Sequence, residues 1–229
     1  DHQCVSVSTM VSGLLGKVVS TTERFHSGKN NRVYKLNTTD STQFVCKVYF
    51  EVERLHAEYA ALTFLWRNGE RAVPRPVVAS EKDSCAIYEY VDGDSVLPSP
   101  NESDIDQAVE FLTRLGSYAD CDGSKSLPPA AEACPSVKAI VDNIHSRLSR
   151  LTEVQNQHDQ LRIFLNEEFV PTLIEIEGSL ATSCLSIEEE LEQRKQTLSP
   201  SDFGFHNAIK QPNGQIVFLD FEYFGWDDP

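Results

Sequence analysis

The sequence lacks a long apolar run, and no stretch approaches the ~20 residues that a membrane-spanning helix needs. The first residues, Asp1 to Ser6, also lack the basic start and apolar stretch of a secretory leader. Basic residues are in deficit, because 20 Lys and Arg oppose 35 Asp and Glu and give a net charge of −15. Nucleic-acid binding usually needs a basic face. We therefore expect a cytoplasmic protein with neither a membrane nor a nucleic-acid partner.

Closely spaced cysteine pairs are also missing from the 229 residues. The six cysteines are scattered, without a C-x-x-C motif: Cys4, Cys46, Cys85, Cys121, Cys134 and Cys184. Zinc sites need clustered ligands, so this pattern argues against one. Cys46 and Cys85 lie in apolar runs, which favours small core residues with free thiols in a reducing compartment.

The most informative stretch is the end of the chain, where polar residues flank a predicted hairpin. A Pro-Asn-Gly turn at 212–214 separates two short apolar runs, a pattern typical of a β-hairpin. A hairpin returns to where it began, so Asp202, Asn207 and Asp220 should converge at one end of it. Two carboxylates and an amide form an oxygen-rich cluster that suits Mg²⁺. The alternative is an ordinary Asn-Gly hairpin with polar ends.

The first part of the chain predicts strands with one main helix. A strand, a polar turn and a second strand cover 25–36, and a third strand covers 43–50. Lys47 lies between apolar neighbours on the third strand, and a buried Lys usually has a partner. Glu58 lies within the apolar stripe of a helix predicted over 51–69, so we expect the two residues to pair. The alternative is that Glu58 reaches solvent at the edge of the stripe.

The remaining elements predict two lobes. We expect an N-terminal lobe over 1–91, which includes an N-terminal extension over 1–19 that carries a helix from Val5 to Val19. It ends with a strand at 84–91 and a hinge at 89–93. Residues 92–229 are predicted to form a mostly helical lobe, with helices at 104–118, 137–151, 161–176 and 186–196 before the hairpin.

With its elements in this order, the chain resembles the aminoglycoside phosphotransferase and choline-kinase-like family, from about residue 20 to residue 229. Ser199-Pro-Ser-Asp-Phe-Gly-Phe-His-Asn207 is similar to that family's catalytic loop. The stretch Leu219-Asp-Phe-Glu-Tyr-Phe-Gly-Trp-Asp-Asp-Pro229 is similar to its metal-binding segment. The Asp-x-x-x-x-Asn spacing with a later Asp is also the pattern of kinase catalytic loops. The resemblance implies a bilobal, protein-kinase-like α+β fold.

The resemblance also implies an ATP- and Mg²⁺-dependent phosphotransferase that acts on a hydroxyl group of a small molecule. Asp202 would orient the acceptor hydroxyl and take its proton, while Asn207 and Asp220 would hold Mg²⁺ against the nucleotide phosphates. Lys47 would contact the α- and β-phosphates, with its position fixed by Glu58. Such a reaction depends on positioning and charge neutralisation more than on covalent chemistry.

The rest of the nucleotide site is implied by position along the chain. Gly28, Asn30 and Asn31 would cover the phosphates with backbone N–H groups, and the backbone of Glu89 and Val91 would bind the base of ATP or GTP. The turn has one glycine, so an ordinary hairpin turn is the alternative.

Three departures from the family pattern bear on activity. Pro200 and Ser201 stand where relatives often have His-Gly, so Asp202 needs support from elsewhere. His206 stands where Gly is frequent, and either contacts a phosphate or makes a structural polar contact. Relatives usually continue beyond a position equivalent to Pro229 into helices that complete the acceptor pocket. We therefore expect either a C-terminal lobe that is truncated here or an acceptor pocket that is short or shared with a partner.

The acceptor is only indicated by charge. Acidic runs at 167–168 and 188–190 favour a cationic acceptor such as an amino sugar or amino alcohol, although such runs are usually solvated faces. Two rivals remain. One is a catalytically degenerate kinase-like domain that binds nucleotide or a partner, and the other is a metal-dependent phosphate-ester hydrolase.

Overall fold

The computed structural model describes residues 2–27, 30–183 and 186–229. Its main elements, in chain order, are α1 (His2–Leu15), β1 (Val19–Ser27), β2 (Asn31–Thr38), β3 (Gln43–Tyr49), α2 (Val52–Arg67), β4 (Pro76–Ser80), β5 (Cys85–Glu89), β6 (Asp94–Ser95), α3 (Glu102–Tyr118), α4 (Val137–Val154), α5 (Asp159–Phe164), α6 (Val170–Thr182), β7 (Thr197–Ser199), β8 (Ala208–Lys210), β9 (Ile216–Phe218) and β10 (Gly225–Asp227). The chain divides into two units, one of Asp1–Glu132 with Thr197–Trp226 and one of Ala133–Gln196 with Asp227–Pro229. The predicted lobe boundary at residue 91 stays a prediction.

The first unit contains a five-stranded sheet in the order β1-β2-β3-β5-β4, with antiparallel pairing throughout. The strands predicted over 25–36, 43–50 and 84–91 are confirmed as β1 to β3 and β5. The sequence interpretation missed β4, which begins at Pro76 and lies at the sheet edge. Pro is tolerated there because an edge strand need not donate every backbone N–H.

The two faces of β3 serve different cores. Phe44 and Cys46 are buried in a cluster with Val7 and Val11 of α1, whereas Tyr49 belongs to the larger core that includes residues of α2. This alternation follows from the two-residue period of a strand. It places the side chain of Lys47 on the same face as Tyr49.

Helix α1 ends earlier than predicted. The expected helix runs to Val19, but the structure ends it at Leu15 and begins β1 at Val19. Gly16 has a positive φ of 62°, a conformation that commonly ends helices.

Helix α2 confirms the predicted apolar stripe. Its buried residues are Leu55, Glu58, Ala61, Leu62, Phe64 and Leu65. Glu58 is therefore inside the stripe rather than at a solvated edge. The helix ends at Arg67, close to the predicted end at Gly69.

The C-terminal hairpin forms as predicted, with β8 pairing β9 around the turn at 211–215. Helix α3 packs against it and begins with reciprocal hydrogen bonds between Asn101 and Asp104. The Lys210 ammonium donates to Asp104 Oδ1 at 2.7 Å. Phe111 of α3 stacks on Phe203, which precedes the hairpin. These contacts hold the loop 200–207 against a packed scaffold.

The second unit is helical, but the charged helix predicted over 186–196 is wrong. The described residues 186–196 form turns with a short 3₁₀ turn at Gln193–Lys195. Leu191 N–H donates to Pro135 O, and Lys138 N–H donates to Ile187 O. A helix with three consecutive glutamates and two apolar residues would repel itself and bury little, so the backbone bonds to the start of α4 prevail.

The stretch predicted as a helix over 161–176 is interrupted. A single π-helical turn, Leu165–Phe169, separates α5 from α6, and Pro171 lies in the first turn of α6. Pro has no N–H to donate to the preceding turn, which favours such a break. Among the described residues, no helix combines the length and the apolar character needed to cross a membrane.

Candidate active site

A cavity of about 380 Å³ opens between the sheet, the linker after β5 and the C-terminal hairpin, all within the first unit. Seven of the predicted site residues line it: Asn31, Lys47, Glu58, Glu89, Val91, Asn207 and Asp220. Its other walls include apolar side chains of Val33, Val45, Ile209 and Leu219. The cavity wall is therefore largely apolar with a few charged groups, which is typical of a small-molecule site.

The predicted pairing of Lys47 and Glu58 is confirmed. The ammonium of Lys47 donates to both carboxylate oxygens of Glu58, at 3.0 and 2.8 Å. It also donates to Asp220 Oδ1 at 2.8 Å. Strand β3, helix α2 and the segment after β9 thus meet at one nitrogen atom.

A buried hydrogen-bond chain continues from this pair. The Tyr49 hydroxyl contacts Glu58 Oε2 at 2.5 Å and the Tyr88 hydroxyl at 2.9 Å. Burial lowers the pKa of Lys47, but the carboxylates of Glu58 and Asp220 outweigh this effect and hold its pKa above the ordinary value. Burial raises the pKa of Glu58, and it raises the pKa of Tyr49 as well. The two carboxylates therefore favour the charged form of Lys47.

Asp220 has a strained backbone, with a positive φ of 66°. The conformation is uncommon for a residue other than glycine and often marks a functional position. The preceding residue, Leu219, donates its N–H to Asn207 O at 2.8 Å, which brings Asn207 and Asp220 to the same end of the hairpin. That convergence was expected from the Asn-Gly turn.

Asp202 is more exposed and is not among the described residues of the cavity wall. Its carboxylate oxygen lies 3.2 Å from Nε2 of His206, which does line the cavity. The Asn207 side-chain amide donates to Asp202 O at 3.1 Å. Asp202 thus contacts the cavity wall through two neighbours in its own loop.

Serine residues hold this loop where relatives often have His-Gly. Ser201 has a positive φ of 60°, and its N–H donates to Ser199 Oγ at 3.1 Å. The Ser201 hydroxyl donates to Tyr223 O at 3.2 Å. Asp202 N–H donates to Pro200 O at 2.8 Å. These hydrogen bonds stabilise the backbone of the loop on the N-terminal side of Asp202.

His206 lies against the backbone of Gly204. A Cβ atom at that glycine would come within 2.7 Å of the imidazole, so any larger residue would displace His206. The contact between His206 and Asp202 therefore depends on the Gly204 position in this loop.

The predicted phosphate-covering turn is described in part. Gly28 lies outside the described residues, while Asn30 and Asn31 lie within them. Both asparagines contact Glu222, a buried residue next to the cavity wall that the sequence interpretation did not single out. One carboxylate oxygen from each of Glu58, Asp220 and Glu222 lies within 4.8 Å of the other two. The sequence signal that could have identified Glu222 is a Glu within an aromatic run, two residues after Asp220.

The linker places Glu89 and Val91 in the cavity wall. The backbone N–H of Glu89 donates to Arg75 O at 2.9 Å. Any backbone hydrogen bond from Glu89 to a ligand would therefore use its carbonyl. A backbone contact to a nucleotide base at this linker stays a prediction.

The family model of the phosphotransferase enzyme family (APH) matches residues 21–229. The chain belongs to this family. Membership confirms the resemblance and supports a small-molecule phosphotransferase. A curated relative, altered inheritance of mitochondria protein 9 of Candida glabrata, is 25% identical over 150 residues. That match covers 58% of this chain and 22% of the length of the relative.

Solved structures of phosphotransferases share the fold at low identity. A spectinomycin phosphotransferase in complex with ADP and spectinomycin has a TM-score of 0.65 at 12% identity, with 98% of this chain and 70% of that chain covered. A choline kinase from Streptococcus pneumoniae has a TM-score of 0.61 at 18% identity, with 100% and 71% covered. These likenesses confirm the predicted α+β, protein-kinase-like fold.

Proposed function

We propose that this phosphotransferase-family protein transfers the γ-phosphate of ATP or GTP to a hydroxyl group of a small molecule. The observation that supports the proposal most is the position of Lys47, whose ammonium lies 2.8 Å from both Glu58 and Asp220 in the cavity wall. A buried ion pair contributes little net stability, because desolvation offsets most of the attraction. A lysine fixed in this way is well suited to bind phosphate oxygens.

The nucleotide would occupy the cavity with its base between apolar side chains. Val45 and Leu219 line the cavity and offer surfaces for the two faces of a base. The Glu89 carbonyl and the Val91 N–H would hydrogen-bond the edge of the base at the linker. Lys47 would bind the α- and β-phosphates, and the turn that contains Asn30 and Asn31 would cover them.

The residues at the phosphate end fit Mg²⁺. Asp220 offers a carboxylate whose side chain is 33% exposed, and the Asn207 amide donates through its nitrogen, which leaves its oxygen for a ligand. One or two protein oxygens with phosphate oxygens are the usual ligands of this ion. When bound, Mg²⁺ would neutralise charge that develops on the phosphates during transfer.

Asp202 would orient the acceptor. Its half-exposed carboxylate would accept a hydrogen bond from the acceptor hydroxyl and take its proton as the new P–O bond forms and the bond from the γ-phosphorus to the leaving nucleoside diphosphate breaks. General-base catalysis needs this contact at hydrogen-bond distance. His206 would fix one carboxylate oxygen and leave the other for the hydroxyl. The acceptor that we favour is a cationic amino sugar or amino alcohol, which the net charge of −15 would attract.

Calorimetry with ATP, with and without Mg²⁺, tests the nucleotide site. We expect binding that needs Mg²⁺ in the wild type and is lost in Asp220→Asn, while the exposed control Glu53→Gln binds normally. An acceptor screen by ADP release, starting with amino sugars and amino alcohols, then tests transfer.

Three outcomes would contradict the proposal. Binding without turnover on any acceptor would favour a degenerate nucleotide-binding domain. Metal-dependent cleavage of a phosphate ester without nucleotide would favour a hydrolase. No binding by folded protein would exclude the nucleotide site as described.

A further inference from the structure

We infer that the outer face of α2 carries a second ligand site, which takes a small zwitterion with an apolar side chain, such as an apolar amino acid. A cavity of about 560 Å³ lies there, within the first unit. It is lined by α2 residues between Leu55 and Arg67, by Ala79 and Glu81, and by the turn at 122–127. We call it the outer cavity.

The outer cavity and the candidate active site lie on opposite sides of α2. An α-helix turns by about 100° per residue, so Thr63 and Arg67 project roughly 140° and 180° away from Glu58. The cavity that contains Lys47 shares no described lining residue with the outer cavity. A ligand in the outer cavity would therefore bind whether or not the protein transfers phosphate.

Three side chains along α2 supply hydrogen-bond donors to the outer cavity. Tyr59, Thr63 and Arg67 follow one another at intervals of four residues, so they lie along the same face of the helix. Within the described part of the chain, none of these side chains has a hydrogen-bond or ion-pair partner. A guanidinium group with two hydroxyl groups is a set of donors that suits a carboxylate.

The hydroxyl group of Thr63 lacks an acceptor. Its oxygen is shielded from water and has no partner among the described residues, which costs stability. A rotation about χ1 would turn this hydroxyl toward a carboxylate in the outer cavity. Burial raises the pKa of the Tyr59 hydroxyl, and the Arg67 guanidinium opposes this effect, so these two donors lie near each other.

The other walls of the outer cavity carry negative charge. Asp122 has no ion-pair partner in the described ranges, and it does not form a salt bridge with Arg67 although both line the cavity. Glu81 Oε1 lies 3.0 Å from Nε2 of His56. A simple anion would be repelled by the two carboxylates. One unpaired cation and one unpaired carboxylate instead suit a ligand that carries both charges.

The remaining wall is apolar. Leu55, Phe64 and Leu127 are buried core residues that line the outer cavity, and the half-buried Tyr59 packs against the same core. An apolar side chain on the ligand would bind against these residues and displace water from them. Such a wall with a few polar groups is typical of small-molecule sites.

An NMR titration of the full chain with L-phenylalanine tests the outer cavity. We expect saturable shifts of backbone amides on α2 and in the turn at 122–127. The probe 3-phenylpropionate lacks the ammonium group and 2-phenylethylamine lacks the carboxylate, so each should bind at least about tenfold more weakly. Equal affinity for either analogue would overturn the zwitterion. Absence of saturable shifts, or shifts around Lys47 instead, would overturn the site.

Two charge variants separate the two ends of the ligand. Arg67→Gln should weaken L-phenylalanine binding about tenfold and leave 2-phenylethylamine unaffected. Asp122→Asn should weaken L-phenylalanine binding similarly and should not weaken binding of 3-phenylpropionate. Both residues are exposed, so the fold should persist, and the exposed Arg194→Gln is the control. Unchanged L-phenylalanine binding in both charge variants would overturn the site.

Thr63→Val distinguishes a ligand contact from a structural role. Valine keeps the shape of threonine but lacks the hydroxyl. Because that hydroxyl has no described protein partner, the Tm of the free protein should be unchanged or higher, while L-phenylalanine binding should weaken about threefold. A lower Tm with unchanged binding would overturn the assignment of Thr63 to the site.

Discussion

The two ends of the candidate site differ sharply in exposure. At the end proposed for the nucleotide, the side chains of Lys47 and Glu58 are 11% and 3% exposed, and each has several polar partners. At the end proposed for the acceptor, the side chains of Asp202 and His206 are 54% and 52% exposed. The first end is built into the core of the first unit, whereas the second lies on a loop supported by local hydrogen bonds.

This difference in exposure predicts that substitutions at the two ends affect the stability and the activity of the protein differently. A substitution at the nucleotide end should damage the fold as well as binding, because it leaves a buried charge without a partner. A substitution at the acceptor end should damage turnover alone, because water replaces the lost contacts. The variants below, in order of decreasing effect, test this separation.

Asp202→Asn should have the largest effect on activity. We expect kcat to fall about 10²- to 10⁴-fold, because the amide cannot take the hydroxyl proton. The free energy of unfolding should change by less than about 0.5 kcal/mol. Steady-state kinetics and urea denaturation measure the two quantities, with Asp106→Asn on the exposed face of α3 as the control. Retained turnover in Asp202→Asn would mean that another group accepts the proton.

Lys47→Ala should weaken both binding and the fold. Loss of the ammonium leaves Glu58 buried beside Asp220 without a cation, so we expect the free energy of unfolding to fall by about 3 kcal/mol. Nucleotide binding should be lost in the same variant. The exposed Lys82→Ala provides the matched control for denaturation and calorimetry. A stable Lys47→Ala variant would show that the two ends are not as different as their burial indicates.

Another buried carboxylate, that of Glu70, extends the comparison to pH. Glu70 accepts from Arg114 Nε at 2.9 Å and from Ala72 N–H at 2.8 Å. Burial raises the pKa of Glu70, but the hydrogen bonds from Arg114 and the backbone outweigh it, so the pKa lies below the ordinary value. A lowered folded pKa gives stability that is present above the unfolded value and is lost as the pH falls.

The test is the free energy of unfolding of wild type and Glu70→Gln between pH 7 and about pH 3.5. We expect Glu70→Gln to be about 2 kcal/mol less stable at neutral pH, with the difference shrinking as the pH falls below about 4.5. A difference that stays constant over this range would mean that the charge of Glu70 is not what stabilises the fold.

Tyr49→Phe should have the smallest effect. It removes the hydroxyl between Glu58 and Tyr88 while Lys47 still holds Glu58. We expect a loss of about 1 kcal/mol in the free energy of unfolding and nearly normal nucleotide binding. Thermal denaturation and calorimetry measure both, with Tyr118→Phe, whose hydroxyl lies outside the cavity wall, for comparison. Lost binding in Tyr49→Phe would mean that this hydroxyl, rather than Lys47, sets the position of Glu58.

The sequence predicts the parts of this molecule that depend on local periodicity. The pairing of Lys47 with Glu58 followed from a two-residue strand period and a helical stripe, and the hairpin followed from Asn-Gly. The contacts of Glu222 with Asn30 and Asn31 could not be found in this way, because only the folded chain brings them together. The short strands β6, β7 and β10 are too brief to show a period.

The wrong prediction of a helix over 186–196 has a different cause. Charge and helix propensity favoured a helix there, but intrinsic propensity is weak when a segment buries little surface. Backbone bonds to Pro135 and Lys138, which no local pattern encodes, decide its conformation.

The contact between Lys47 and Asp220 also bears on the order in which ligands arrive. With Nζ and Oδ1 2.8 Å apart, Asp220 already has a counter-ion supplied by the chain itself. A free divalent ion entering alone would compete with that ammonium for the Asp220 carboxylate and would offer Lys47 no new partner. A nucleotide that carries its own ion gives Lys47 new phosphate partners at the same moment. We therefore expect weak affinity for the ion by itself and joint arrival of nucleotide and ion.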